Sequence, residues 1–124
     1  MELRPSEIVD LVRWVDAEVN NGGFHQFFNN SSGDKTVETI VALTQIGATK
    51  TAGIVRSAAA MFPGGMPPRD RKERIEILWR EFPDPRSFYS LNEEFYEYPD
   101  GLLETLITNF AAKSGAAPDP YWNV

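Results

Sequence analysis

Asn20-Asn21-Gly22-Gly23-Phe24-His25-Gln26-Phe27-Phe28-Asn29-Asn30-Ser31-Ser32-Gly33-Asp34 decides how the rest of this chain is read. It sets three phenylalanines and the only histidine between two glycine-bearing turns. Phe24, Phe27 and Phe28 stand at i, i+3 and i+4, so one helical turn puts all three on a single face. Gly22 and Gly23 end whatever precedes them, because glycine takes left-handed backbone angles without steric cost. Asn29 to Asp34 is turn chemistry, with side chains that bond nearby backbone and a glycine. The spacing therefore predicts a long helix, a sharp corner, a short buried aromatic plug and a polar loop into the next helix.

Working outward, Pro5 suits the first turn of a helix. Ile8, Leu11, Val12, Val15 and Val19 follow as one buried stripe. Trp14 lies off the centre of that stripe, where it either widens the buried face or meets a partner, and core packing is the expectation. Beyond the plug, Asp34 is expected to cap a second helix through Ile46, with Val37, Ile40, Val41 and Ile46 inward. Thr49 is expected to cap a third, built on Ala52, Val55, Ala58, Ala59 and Phe62. Pro63-Gly64-Gly65-Met66-Pro67-Pro68 breaks the chain strongly and reads as a mobile surface loop. Asp70 to Phe82 reads as a locally basic helix with Ile75, Leu78, Trp79 and Phe82 inward, ended by Pro83-Asp84-Pro85. Ser90 and Glu93 have capping-box spacing for a short helix through Glu97. Pro99-Asp100 opens a last helix carrying Leu102, Leu103, Leu106, Ile107 and Phe110, with Gly115 beyond its end. No segment alternates with period two. The fold class expected is all-α, a compact array of about six or seven helices.

Several of these segments also carry a resemblance. Asn21-Gly22-Gly23-Phe24, Gln26-Phe27-Phe28 and Asn30-Ser31-Ser32-Gly33-Asp34 open it. Glu38, Ile40, Ala42, Leu43, Ile46-Gly47-Ala48, Lys50-Thr51-Ala52 and Met61-Phe62-Pro63 continue it. Leu91, Glu93-Glu94-Phe95-Tyr96, Asp100, Leu102-Leu103-Glu104 and Leu106-Ile107 complete it. Together they resemble a family of small bacterial helical domains that includes a neisserial DNA-mimic protein, over most of the chain between Val15 and Lys113. The resemblance implies a small helical fold. It also implies a partner: a basic protein such as a transcription factor, met by acidic side chains in place of DNA.

The bulk numbers bound the alternatives. The 124 residues are expected to form a single helical domain, with 116–124 a loosely structured tail that Tyr121 and Trp122 partly pin down. A composition 42% hydrophobic and 24% charged is that of a soluble globular chain. With no cysteine there is neither a disulfide framework nor a thiolate metal site. The start Met1-Glu2-Leu3-Arg4-Pro5 is unlike a signal peptide, and no apolar run approaches a membrane span, so a cytoplasmic protein is expected. A net charge of -6 disfavours direct nucleic-acid binding and favours a basic protein partner.

Candidate chemistry is sparse. His25 has Asn, Gln and Ser nearby but no pattern that identifies a triad, and a single imidazole without thiolates does not make a metal site. Gly47-Ala48-Thr49-Lys50-Thr51 lacks both the Gly-Lys adjacency and the preceding strand of a phosphate loop. No catalytic residue, metal or cofactor is assigned. The acidic constellation is more informative: Glu81, Asp84, Glu93, Glu94, Glu97, Asp100 and Glu104 stand against Arg86 alone. Glu93 and Glu97 are at i, i+4, where like charges oppose the helix. Phe88, Tyr89, Phe95, Tyr96 and Tyr98 are interleaved, and aromatic residues enrich interface cores. A charge run of this kind more often marks a solvated face.

The expectation is a non-enzymatic interaction module that binds a basic protein, with Glu93, Glu94, Glu97, Asp100 and Glu104 as its partner-binding residues. A homodimer would double any such acidic stripe. The alternative is an enzyme or small-ligand protein with a pocket around His25, Gln26, Asn29 and Asn30.

Overall fold

Pro5 occupies the first turn of a 25-residue helix, α1 (Pro5–Asn29), and Glu7 folds back onto the Arg4 backbone N–H and side chain to close its start. In the computed structural model, which describes residues 1–115, five further helices follow. They are α2 (Thr36–Gln45), α3 (Thr49–Ala60), α4 (Arg71–Glu81), α5 (Tyr89–Tyr96) and α6 (Leu103–Ser114). Short 3-10 turns cover Ser31–Lys35, Pro63–Gly65 and Pro85–Phe88, and no strand occurs among the described residues. The expected all-α class holds. The tail 116–124, with Tyr121 and Trp122, lies outside the described residues.

The other elements are arranged around α1, which packs against α2, α4, α5 and α6. The stripe Ile8, Leu11, Val12, Val15 and Val19 is buried throughout. The expected corner is a kink inside α1. Gly22 and Gly23 leave helical geometry, and Gly23 sits at φ 71°. There the backbone reads a neighbour: a Cβ on Gly23 would meet the Asn92 amide at 2.5 Å. Asn92 Oδ1 accepts from the Phe24 N–H at 2.9 Å, so α5 supplies the acceptor that restarts α1 after its kink.

The aromatic plug is the hub of the core. Phe24, Phe27 and Phe28 are buried, as the spacing predicts. Phe24 meets Phe95 edge-on at 5.8 Å, and Phe28 meets Phe62 at 4.9 Å and Phe88 at 5.7 Å. Phe82 closes the circuit onto Phe62 and Phe88. These rings join α1 to the ends of α3 and α4 and to α5. Edge-on pairs of this spacing contribute about 0.5–1.5 kcal/mol each beyond their burial.

Several local expectations are corrected. Asp34 does not cap α2; it lies in the 3-10 turn and pairs with Arg74 at 2.7 Å. Val37 and Val41 are half-buried, while Ala42 and Leu43 join Ile40 and Ile46 in the core, and α2 begins one residue later than an Asp34 cap requires. Thr49 and Ser90 are helical residues without capping bonds. Trp79, expected inward, is 49% exposed, and Arg74, on the helix read as locally basic, is fully buried. The segment from Pro63 lies at the surface as expected, with Pro63 to Met66 exposed, a 3-10 turn over Pro63–Gly65 and Pro67 buried. Asp100 stands three residues before α6 rather than at its start.

Candidate interaction face

The seven carboxylates between Glu81 and Glu104 divide by what they touch. Glu81 pairs with Arg80 and Asp84 with Arg86. Arg86 donates to both Asp84 oxygens, Nε to Oδ1 and Nη2 to Oδ2, and holds that carboxyl below its usual range. Glu104, in the first turn of α6, pairs with the largely buried Arg13 of α1. Asp100 is engaged from both oxygens: Oδ2 accepts from the Thr51 N–H at 2.7 Å and the Thr51 hydroxyl at 2.9 Å, and Oδ1 from the Lys50 N–H at 3.2 Å. These are the orphan donors at the start of α3, so a loop carboxylate remote in sequence caps that helix.

Glu93, Glu94 and Glu97 remain. Glu93 and Glu94 lie on α5 and Glu97 is its C-cap residue. All three are exposed, and the ion pairs among the described residues leave them out. Glu94 and Glu97 border a shallow cleft of about 470 Å³ between α3 and α5, floored by Ile54 and Leu91 and faced by Lys50. Burial, followed by the nearby Glu93 charge, pushes the Tyr96 hydroxyl above its ordinary range.

Of the interleaved aromatics, Phe88 and Phe95 are core residues, whereas Tyr89 is exposed. Tyr96 donates to the Val19 carbonyl at 2.7 Å. Tyr98 adopts a positive φ of 47° and donates to Asp16 at 2.9 Å while accepting from Asn20. The two tyrosines fasten α5 and its exit to α1.

The polar groups around His25 are occupied internally. His25 is 5% exposed, with Nε2 3.0 Å from the Phe82 carbonyl and its ring 4.6 Å from that of Trp79. Gln26 and Asn30 both donate to Glu18, and Asn29 accepts from the Trp79 indole N–H. Neither described cleft is lined by these residues.

Arg74 is the residue that sequence reasoning missed. Its Nε donates to the Phe28 carbonyl at 2.7 Å. Nη1 donates to the carbonyls of Pro68 and Arg69, and Nη2 to the Asn30 carbonyl and Asp34. All five donors are used, which is what makes a fully buried guanidinium tolerable. A Cβ on Gly33 would meet Arg74 Nε at 2.5 Å, so that glycine leaves room for the arginine. The available signal was position: Arg74 precedes Leu78 by four residues on the inward stripe.

Among the described residues no helix is long and apolar enough to cross a membrane, and no group of three or more His, Cys, Asp or Glu is placed to hold a metal ion. The family described as DMP19-like protein matches residues 4–114. No curated protein and no solved structure matches the chain.

Proposed function

The chain belongs to the DMP19-like protein family, and from that premise we propose that it is a non-enzymatic interaction module whose acidic face takes the place of DNA on a basic, DNA-binding protein. The observation that carries this reading is the row of three exposed carboxylates without ion pairs, Glu93, Glu94 and Glu97, on one short helix tied to α1. Carboxylates held on a rigid element meet arginine and lysine side chains that otherwise contact phosphates. Asp100 and Glu104 belong to the face as supports: one caps α3 beside it, and the other extends it while paired to Arg13. A transcription factor is a partner of this kind, and two copies of the chain would double the row.

The test is a charge-only change. Glu93→Gln, Glu94→Gln and Glu97→Gln together keep side-chain shape and helix propensity while removing three charges. The parent protein should retain a basic partner from lysate that salt releases. The triple variant should show an unaltered denaturation midpoint and lose that partner. Capture of the same partner at unchanged affinity by a normally folded triple variant would reduce these residues to a solvated face.

A further inference from the structure

A groove of about 590 Å³ where α1 meets α2 has Trp14, expected to pack in the core, half-exposed in its wall. The Glu7 and Glu38 carboxylates there are taken up by Arg4 and Arg69. The cleft of about 470 Å³ between α3 and α5 differs. Glu94 and Glu97 line it, both are exposed, and the ion pairs among the described residues leave them out. Ile54 and Leu91 supply its apolar floor, and Lys50, Gly53 and Ser57 line it from α3.

Gly53 lies inside α3, where glycine destabilises a helix relative to alanine. The fold does not require it. A Cβ there would meet nothing within 4 Å, and φ is not positive. Gly23 and Gly33, by contrast, leave room for Asn92 and Arg74. Gly53 instead keeps the α3 wall bare one turn before the small Ser57 side chain, so that a group from outside can lie against helix backbone. Across the cleft, Glu94 and Glu97 stand at i, i+3 on neighbouring turns, two negative charges against the single positive charge of Lys50.

We propose that this cleft seats one arginine side chain of a protein partner. The aliphatic stem lies on Ile54 and Leu91, past Gly53, and the guanidinium bridges Glu94 and Glu97. A planar fork of five donors, weakly hydrated, suits two neighbouring carboxylates above an apolar floor better than an ammonium does. Lys50, on the other wall, donates to the backbone carbonyl of the seated segment. The inference rests on the reading that the acidic face meets a basic protein, and it names one residue that the partner presents.

Acetyl-Gly-Arg-Gly-amide, titrated into the protein and followed by ¹H–¹⁵N NMR, tests it beside its lysine and citrulline counterparts. The arginine peptide should give saturable shifts at millimolar concentration, centred on Gly53, Ile54, Ser57, Leu91, Glu94 and Glu97. The citrulline peptide, equal in shape but uncharged, should bind about fivefold or more weakly, with lysine between the two. Glu94→Gln with Glu97→Gln should bring arginine and citrulline to parity. Glu73→Gln with Glu76→Gln removes as much charge from α4 and should leave the preference for arginine intact. Gly53→Leu fills the cleft at unchanged charge and should abolish saturable binding of all three peptides. Gly53→Ala should raise the denaturation midpoint while weakening the arginine peptide, and it decides the matter if Gly53→Leu fails to fold. The proposal is overturned by an absence of saturable shifts at millimolar peptide, by equal response to arginine and lysine, or by full binding to Gly53→Leu. A partner lost by the triple glutamine variant but held by Gly53→Leu would remove the seat and leave the acidic face standing. Arginine binding in the cleft, with a partner that the triple variant still holds, would do the reverse.

Discussion

Arg74 shows how one side chain can organise several segments. Its five donors engage the carbonyls that end α1, the loop before α4, and Asp34 in the 3-10 turn. The carbonyls at a helix C-terminus have no partners within the helix, so an arginine arriving from another helix meets a fixed demand. Removal leaves those carbonyls and the Asp34 charge without their donor. Arg74→Met, similar in length and apolar, should therefore cost about 3–5 kcal/mol, the loss typical of removing one partner from a buried charged network. Urea denaturation of the variant measures it, and a midpoint unchanged from the parent would sink the assignment. Arg74→Lys should recover little, because an ammonium cannot reproduce the planar fork that reaches five acceptors.

At the scale of elements, intervals and breakers were legible in the sequence, while contacts between distant segments were not. The stripe from Ile8 to Val19, the corner at Gly22-Gly23, the Phe24–Phe28 plug and the breakers around Pro63 and Pro83 follow from local periodicity and backbone chemistry, and the structure has them where spacing puts them. Asp34, Thr49 and Ser90 have the residue types of helix caps, yet α2, α3 and α5 begin without side-chain caps of their own. α3 instead takes Asp100, and the second half of α1 takes Asn92. Capping from afar leaves no spacing rule to read. Among the candidate site residues, Glu93, Glu94 and Glu97 were legible as a row on one helix, whereas the roles of Asp100 and Glu104 depended on α3 and Arg13. Asp100→Ala should destabilise the protein by about 1–2 kcal/mol, as loss of a helix cap does, with Asp100→Asn costing less because it keeps an acceptor. Chemical denaturation ranking the two variants in the opposite order would refute the capping role. The exit of α5 offers a pH test. Burial pushes the Asp16 carboxyl above its ordinary range, against the bonds from Tyr98 and Asn20 that oppose the rise. Its folded pKa thus exceeds its unfolded one, and the folded state holds more protons between the two values. Stability contributed by this group therefore falls as pH rises through that window. Asp16→Asn should flatten that slope and be relatively more stable at neutral than at acid pH; parallel stability–pH curves for the two proteins would contradict it.

For the whole molecule, the distribution of charge matters more than its total. The chain has 18 acidic and 12 basic residues, a net charge of -6. Among the described residues Arg74 and Arg13 are buried, as is Glu38, so burial removes one net positive charge from their exposed balance. Most exposed acids near the chain's cations are already paired, on Arg4, Arg80 and Arg86. The three carboxylates of α5 are in no ion pair, like Glu73 and Glu76 on α4, while Lys50 lines the cleft that Glu94 and Glu97 border. A face of this kind acts on a partner over a limited distance, since exposed charges are screened beyond about 10 Å at roughly 0.1 M salt. If the face occupies the site where the partner holds phosphates, the two ligands exclude each other. Duplex DNA added to the preformed complex should release the partner from immobilised protein in a dose-dependent way, and raising salt should weaken both interactions together. The triple glutamine variant should fail to displace DNA from the same partner in the reverse experiment. A ternary complex, with DNA and this protein held at once on gel filtration, would show that the acidic row meets some other surface of the partner and that mimicry is not how it binds.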